Sequence, residues 1–386
     1  MRILYTAIDQ RVPGTDGGAV HVSSVATGLA ELGHEVHVLV THGEGPFPPV
    51  AHWHSERPSL GIRHLRLLSA GRITRLAREL QPEIVIERYY NFGGEGVLAA
   101  RQVGAAVVLE VNAPVIDHRG SLKHLLDRLV LVEPMRRWRE WQCAHADLVV
   151  TPTAAILPPW VQREKIIELE WGADTERFRP DVTGPVPFQR KPDETVFVFA
   201  GAFRAWHGAR QLVDAIRSLR QQGHPRVRAV FIGDGPTLET VRQRATGVPG
   251  IEFVGRIPHD QMPAALAAAD VGVAPFDVAA HPPLTLAFYW SPLKLFEYMS
   301  AGLPVVAPRI NRLDRLARHE QEGLLYDPSS PDGLVEALIR LLDPALRARL
   351  GAAARQRAET TFSWKTHCRA LERAMAATVR AREHHV

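Results

Sequence analysis

Residues 291–306 place a cation and a carboxylate together at the start of a predicted helix, in the sequence SPLKLFEYMSAGLPVV. We expect Ser291 to cap this helix and Pro292 to occupy its first position, because a first turn leaves its N–H groups unpaired. Lys294 and Glu297 then lie on nearly the same helix face. Amides and an ammonium suit a diphosphate, whereas a carboxylate accepts hydrogen bonds from a ribose diol. The alternative is a surface ion pair.

Two glycine-bearing loops carry further candidates for holding an anion. In DQRVPGTDGGAVHV, Gly17 and Gly18 open a helix whose first amides attract negative charge. In GAFRAWHGARQLVDAI, Arg204 and His207 lie between a strand and a helix, where an arginine can fork onto phosphate oxygens. The alternatives are a flexible turn at the glycines and a solvated arginine beside a capping histidine. The glycine loop lacks the G-x-G-x-x-G motif, which disfavours a dehydrogenase.

The elements that must position these residues alternate between strand and helix in both halves of the chain. Apolar runs such as EVHVLVT, IVIERY and AAVVLEV precede the break, and TVFVFAG, RAVFIGDG and PVVAP follow it. This alternation predicts an α/β protein with two Rossmann-like, doubly wound parallel sheets facing across a cleft, with ligands beyond the carboxyl ends of the strands. A Pro-rich polar linker at residues 179–195 predicts domains at 1–182 and 192–362.

Composition excludes several other classes of protein. The chain has 386 residues, no long apolar run and only two cysteines, Cys143 and Cys368, so we expect two domains in a reducing cytoplasm. Residues 1–180 contain 20 basic and 21 acidic side chains, so the high isoelectric point does not reflect a basic face for nucleic acid. The histidines lack partners at metal-ligand spacing, so no metal site is expected.

The chain resembles the retaining GT-B glycosyltransferases of family 4, in a variant with the motif SPLKLFEYM. The motifs that carry the resemblance follow the family order: GGAVHVSSVATGLAELGHEVHVLVT, WGADTERFRP, GAFRAWHGARQLVDAI, FIGDGP, FVGRIPHDQMPAALAAADVGVAPF and SPLKLFEYMSAGLPVVAP. The resemblance implies an N-terminal acceptor domain and a C-terminal domain that binds a nucleotide-sugar donor. It also implies that a C-terminal helix at 363–382 returns to the first domain.

The resemblance also implies roles for single residues. Arg204 and Lys294 would bind the phosphates and Glu297 the ribose, and these three are the expected catalytic residues. The donor-binding set would further comprise Gly17, Gly18, His207, Gly233, Asp234, Gly235, Arg256, Ile257, Ser291, Pro292 and Leu293. Within this set, the loops around Gly233 to Gly235 and around Arg256 and Ile257 would flank the base, partly through backbone groups.

Three positions depart from the family pattern. Tyr289 stands where the first acid of the paired-glutamate motif is expected, and His207 where the family usually has lysine. Asn112 replaces the family's histidine after AAVVLEV, with His118 displaced nearby. Asn112 and His118 are therefore the candidates on the acceptor side.

The expected reaction is transfer of a sugar from a nucleotide-diphosphate sugar to an acceptor hydroxyl, with retention and without metal or cofactor. The leaving phosphate would take the acceptor proton. The alternatives are a nucleotide-sugar epimerase and an inactive nucleotide-sugar-binding protein. Residues 119–145 also predict a long helix with arginines, Trp138 and Trp141, which either rests on an anionic membrane or packs its aromatic side chains inward.

Overall fold

The computed structural model describes residues 1–116 and 133–384, with only the backbone described at 133–135. Contacts divide the chain into two compact units. The first contains residues 1–171, 289–291 and 364–386, and the second contains residues 172–288 and 292–363.

The first unit is a parallel sheet with helices between its strands. Its strands are β1 (Arg2–Val12), β2 (Glu35–His42), β3 (His52–Ser55), β4 (Ile84–Arg88), β5 (Ala106–Glu110), β6 (Leu148–Thr151) and β7 (Ile166–Glu168). Its first four described helices are α1 (Gly17–Glu31), α2 (Ala70–Leu80), α3 (Glu95–Val103) and α4 (Glu133–Ala144).

The seven strands lie in the order β3-β2-β1-β4-β5-β6-β7, and every pairing is parallel. β4 and β5 read as almost continuous apolar runs because both faces of the sheet are covered. The short edge strand β3 was not predicted, since its residues HWHS lack an apolar pattern.

The second unit repeats the same architecture. Its strands are β8 (Thr195–Ala200), β9 (Val227–Ile232), β10 (Ile251–Gly255), β11 (Val271–Val273), β12 (Val305–Pro308) and β13 (Gly323–Tyr326). Its helices are α5 (Ala209–Gln221), α6 (Leu238–Ala245), α7 (Met262–Ala267), α8 (Leu293–Ser300), α9 (Leu313–Leu316), α10 (Gly333–Arg340) and α11 (Pro344–Thr361).

The order β10-β9-β8-β11-β12-β13 reverses direction between β8 and β11. Such a reversal opens a crevice at the carboxyl ends of the two strands, which is where doubly wound sheets bind ligands. The runs TVFVFAG, RAVFIGDG and PVVAP, predicted as strands, form β8, β9 and β12. The last helix, α12 (Trp364–Glu383), packs against α1 in the first unit.

The contacts divide the chain after Trp171, whereas the sequence placed the end of the first domain at residue 182. Residues 179–194 form no regular element, but part of this segment packs within the second unit. Arg355 donates to the carbonyl of Phe178 (2.6 Å), and Gly302 lies against the ring of Pro180.

The described part of the predicted helix 119–145 is α4, and it turns a tryptophan inward. The indole N–H of Trp138 donates to the carbonyl of Gly93 (2.8 Å), and Arg139 is buried and donates to the carbonyl of Val115. The structure therefore favours the inward-packing alternative at Trp138, and residues 119–132 of the predicted helix lie outside the described residues. None of the described helices is long and apolar enough to cross a bilayer.

Candidate functional site

The loops after β8, β9 and β10 are joined by backbone hydrogen bonds at the carboxyl edge of the second sheet. Gly201 N–H donates to the carbonyl of Ile232 (2.9 Å), and Phe203 N–H donates to that of Asp234 (2.8 Å). Gly233 N–H in turn donates to the carbonyl of Gly255 (2.8 Å). The three loops therefore form one backbone platform.

Glycine is required at two positions of this platform. Gly233 has φ +132°, and a Cβ there would lie 2.0 Å from the carbonyl oxygen of Gly201. Gly235 has φ +153°, and a Cβ there would lie 2.7 Å from the nitrogen of Phe203. Both residues were predicted to flank a nucleotide base. The structure shows in addition that any side chain at these positions would collide with a neighbouring loop.

Lys294 extends from α8 toward the end of β8. Its Nζ is buried, lacks a hydrogen-bond partner among the described residues, and lies 4.2 Å from the ring centroid of Phe199. A Cβ on Gly201 would come within 3.2 Å of it. Burial lowers the pKa of Lys294 to about 7, against the opposing effect of Glu297. A buried ammonium without a partner is costly unless an anion joins it.

Arg204 and His207 occupy the loop after β8, as predicted. Arg204 is exposed, with its guanidinium 5.4 Å from the ring centroid of Trp206. His207 is more enclosed, and its Nδ1 contacts the carbonyl of Ala202. Burial lowers the pKa of His207 to about 3, with further contributions from the charges of Lys294 and Arg204. The imidazole is therefore neutral at pH 7, and the cations at this site are Arg204 and Lys294.

Glu297 lies one turn after Lys294 on α8 and is largely buried. Its carboxylate, 18% exposed, stands 3.9 Å from Nε2 of His259. The other ring nitrogen of His259, Nδ1, lies 3.1 Å from the guanidinium of Arg177. Because a guanidinium can only donate, Nδ1 must accept, and the ring proton is on Nε2, facing Glu297. His259 and Arg177 were not among the predicted site residues.

The prediction for the start of this helix is wrong at Ser291. The hydroxyl of Ser291 donates to the carboxylate of Glu170 (2.6 Å) and accepts from the N–H of Trp171 (3.1 Å), so it does not cap α8. Pro292 is the residue before the helix rather than its first residue, and the helix begins at Leu293.

Arg256 and Ile257 directly follow β10, where the base-flanking loop was predicted. The side chain of Arg256 is exposed, and Asp234 accepts a hydrogen bond from the N–H of Gly235 (2.7 Å). Tyr289, at the position of the expected acid, is buried, and burial raises its pKa to about 12. It therefore remains uncharged at neutral pH.

The helix start at Gly17 and Gly18 is present in the first unit, but an internal carboxylate already binds there. Asp16 accepts from the N–H groups of Gly18 (2.9 Å) and Ala19 (3.2 Å). A Cβ on Gly18 would also collide with the side chain of Gln10. In this state these two amides are satisfied, so a donor phosphate would have to compete with Asp16.

Asn112 belongs to a polar cluster at the end of β5. Its amide donates to Glu110, and its Oδ1 accepts from the indole N–H of Trp171 (2.9 Å). The carboxylate of Glu110 also accepts a hydrogen bond from the guanidinium of Arg88 (2.7 Å) and lies 2.8 Å from Nε2 of His21. Burial raises the pKa of Glu110, but His21 and Arg88 outweigh it and hold the value below the usual range. The other acceptor candidate, His118, lies outside the described residues.

A second buried cluster in the first unit centres on Arg66. This guanidinium is fully buried and contacts Asp9, Glu87 (2.9 Å) and Glu95 (2.6 Å). Burial and the charge of Glu95 raise the pKa of Glu87. Both clusters carry a signal in the sequence that was not recognised, a charged residue at the end of a buried strand, as in IVIER and VVLE.

Comparison with known proteins identifies the family. The model described as "Glycosyltransferase Family 4" matches residues 15–177, and that described as "Glycosyl transferases group 1" matches residues 194–344. The chain belongs to the family 4, group 1 glycosyltransferases. The two matches cover the predicted acceptor and donor halves in that order.

Two curated glycosyltransferases illustrate the relationship. A sulfoquinovosyl transferase of Arabidopsis thaliana is 27% identical over 87% of this chain and 66% of its own length. A GDP-mannose-dependent alpha-(1-6)-phosphatidylinositol monomannoside mannosyltransferase of Mycobacterium tuberculosis is 30% identical over 50% of this chain. The chain spans 51% of that protein's length.

Solved glycosyltransferase structures show the same fold. Sucrose-phosphate synthase from Thermosynechococcus elongatus aligns with a TM-score of 0.73 at 18% identity, over 98% of this chain and 99% of that one. HepE of Anabaena, in complex with UDP and glucose, aligns with a TM-score of 0.69 at 16% identity, over 97% and 99%. The fold is therefore GT-B, with two Rossmann-like units.

Proposed function

We propose that this glycosyltransferase moves a sugar from a nucleotide-diphosphate sugar to an acceptor hydroxyl, with retention at the anomeric carbon. The observation that carries the proposal is the buried ammonium of Lys294, which has no hydrogen-bond partner among the described residues and lies beside the backbone of Gly201. An unpaired cation at the crevice of a doubly wound sheet is suited to bind an anionic ligand.

The donor is held by the second unit in this proposal. Lys294 and Arg204 bind the diphosphate, and Glu297 accepts hydrogen bonds from the ribose hydroxyls. The platform of residues 233–235 and 255–257 flanks the base, largely through backbone groups. The relative that depends on GDP-mannose and the neighbour crystallised with UDP and glucose support a nucleotide-linked donor.

Transfer breaks the bond between the anomeric carbon and the oxygen of the diphosphate, and the bonding electrons leave with that oxygen. The acceptor hydroxyl forms its new bond on the same face of the sugar, and its proton passes to the departing phosphate oxygen. The chain contributes positive charge where negative charge grows, from Lys294 and Arg204. No metal is required in this mechanism, and chelator-treated enzyme should retain its rate.

The first unit supplies the acceptor side, where Asn112, Arg88 and Tyr90 lie near the carboxyl ends of its strands. The name of one relative specifies a phosphatidylinositol monomannoside acceptor. For this chain we propose an acceptor hydroxyl on a saccharide or a lipid headgroup.

Nucleotide release from UDP-, GDP-, ADP- and dTDP-sugars, with and without acceptors, tests the proposal. We expect acceptor-dependent release with one donor, and a loss of about 10²–10³-fold in kcat for Lys294→Met. Lys365→Met removes an exposed lysine and should keep the wild-type rate. Epimerised sugar without an acceptor would support an epimerase instead, and donor binding without turnover would support an inactive binding protein.

A further inference from the structure

Glu110 lies at the centre of the buried polar cluster at the end of β5. We call this group the Glu110 cluster, and its members are Tyr5, His21, Arg88, Glu110, Asn112 and Trp171. Glu110 pairs with Arg88 in the sheet, and Tyr5 pairs with Ile86, two residues before Arg88. Because alternate residues of a strand share a face, the side chains of Tyr5, Arg88 and Glu110 lie on the same side of the first sheet.

The carboxylate of Glu110 has no capacity left for a ligand. Its Oε2 accepts from the hydroxyl of Tyr5, and its Oε1 accepts from Arg88 (2.7 Å) and from the amide of Asn112. Nε2 of His21 stands 2.8 Å from the same Oε1. A carboxylate has about four lone-pair sites, so these four polar groups occupy it. Glu110 is 6% exposed and can therefore act on a ligand only through the side chains that it orients.

The side chain of Asn112 is held at both ends of its carboxamide. The amide nitrogen donates to Glu110, and Oδ1 accepts from the indole N–H of Trp171 (2.9 Å). A carboxylate can only accept and an indole can only donate, so these partners fix which end of the carboxamide is oxygen. Trp171 is held in turn, because its ring stacks on His21 (4.4 Å between centroids) and its backbone N–H donates to Ser291 (3.1 Å). The carboxamide therefore has a single orientation.

The unused half of this carboxamide matches a pair of hydroxyls. One amide hydrogen and one lone pair of Oδ1 have no partner within residues 1–116 and 133–384. Asn112 is half-buried and closely follows β5, and ligands of such sheets bind beyond the carboxyl ends of the strands. A carboxamide can bind two neighbouring groups at once when one accepts and the other donates. Two adjacent hydroxyls of a saccharide or polyol meet this requirement, because each can do either.

We propose that Glu110 is a positioning residue that presents Asn112 to two neighbouring hydroxyls of the acceptor. Asn112 donates to one hydroxyl through its amide and accepts from the other through Oδ1. The acceptor then belongs to the saccharides or polyols that carry a vicinal diol, rather than to alcohols with one isolated hydroxyl. We rest this role on the proposed sugar transfer, because the diol is part of its acceptor.

Steady-state kinetics with varied acceptor test the role of Asn112 in the full chain. The acceptors are the methyl glycosides of glucose, mannose and galactose, and phosphatidylinositol, all of which carry neighbouring hydroxyls. We expect Asn112→Ala to raise the KM for the acceptor about tenfold to thirtyfold, with a smaller change in the KM for the donor. The matched control Asn311→Gly removes an exposed carboxamide from the second unit, where glycine tolerates the φ of +48°, and should keep both KM values.

A double-mutant cycle separates positioning from structural support. Glu110→Gln should raise the KM for the acceptor about threefold to tenfold, because a carboxamide cannot accept from all the groups that now face Glu110. If Glu110 acts through Asn112, adding Glu110→Gln to Asn112→Ala should leave the KM of Asn112→Ala unchanged. Trp171→Phe keeps the stacked ring but removes the indole N–H, and it should raise the KM about twofold to fivefold. It tests the same orientation if Glu110→Gln does not fold.

Monodeoxy analogues of the methyl glycosides test the pair of hydroxyls. At least one analogue that still receives sugar should have a KM about threefold to tenfold above that of its parent with wild type, and equal to it with Asn112→Ala. Wild-type transfer with an unchanged acceptor KM in Asn112→Ala, or additive effects in the cycle, would overturn the role of Glu110 and leave the proposed function standing. Absence of acceptor-dependent nucleotide release by wild type with every acceptor would overturn both.

Discussion

At the scale of single residues, the site is defined by a charge that the folded protein does not satisfy. Lys294 is enclosed by Phe199 and Phe276, whose ring centroids lie 4.2 and 5.6 Å from its Nζ. Aromatic faces attract a cation weakly, and they do not replace lost hydration or a hydrogen bond. Burial therefore holds the pKa of Lys294 near 7, and an arriving diphosphate would raise it again.

This linkage predicts how donor affinity depends on pH. Below about pH 7 Lys294 is already protonated in the unliganded protein, so affinity for a nucleotide sugar should be constant. Above about pH 7, affinity should fall by up to about tenfold per pH unit, because Lys294 must then take up a proton when the donor binds. Neutral His207 does not titrate in this range. Calorimetry between about pH 6 and pH 9 with the donor found in the panel measures this slope. Lys294→Met should abolish it, and parallel profiles for the two proteins would contradict the assignment.

His259 predicts a second effect at this scale. Its Nε2–H faces Glu297 because Arg177 occupies Nδ1, so the ring should keep the carboxylate oriented toward the ribose. His259→Ala should raise the KM for the donor about threefold to tenfold with a smaller change in kcat. His259→Gln retains an N–H near the Nε2 position and should restore most of the loss. A purely structural role would instead lower kcat and thermal stability together in both variants.

At the scale of elements, the sequence predicts where the loops after β8, β9 and β10 lie. It does not predict which residues contact one another there. Each strand was recognisable from its apolar run and the polar residues after it. The start of α8 was not, because Ser291 binds Glu170, which lies 121 residues earlier. Arg66 was overlooked for the same reason, since its carboxylate partners come from β1, β4 and α3. Local patterns predict elements, whereas such contacts depend on topology.

The backbone platform makes Gly233 a sensitive position. Gly233→Ala would place a methyl 2.0 Å from the carbonyl oxygen of Gly201, so the loops after β8 and β9 must separate. We therefore expect both the donor affinity and the melting temperature to fall. Gly223→Ala is the matched control, because Gly223 has φ +88° with no atom within 4 Å of the new methyl. We expect the control to cost only the strain of a positive φ, about 1 kcal/mol, and to bind donor normally. Equal effects of both substitutions in thermal and binding assays would show that the platform does not require close approach.

At the scale of the whole molecule, strand–helix alternation in both halves was enough to predict two parallel sheets, and the resemblance to family 4 implied the GT-B fold. The division of the chain was less accessible, because a polar, Pro-rich sequence resembles a linker even where it packs on a unit, as residues 178–180 do. Of the predicted donor residues, Lys294 and Glu297 lie one turn apart on α8, and the Nζ of Lys294 lies beside Gly201, in the loop that also carries Arg204. The polar clusters of the first unit emerged only from the structure.

Calorimetric binding of UDP, GDP, ADP and dTDP tests the central claim most directly, that the second unit binds a nucleoside diphosphate through Lys294 and Glu297. Wild-type protein should bind at least one of them, Lys294→Met should weaken that binding about tenfold to a hundredfold, and Glu297→Gln about tenfold. Lys365→Met should bind as wild type does. Failure of all four nucleotides to bind, or unchanged affinity in the Lys294 and Glu297 variants, would contradict the claim.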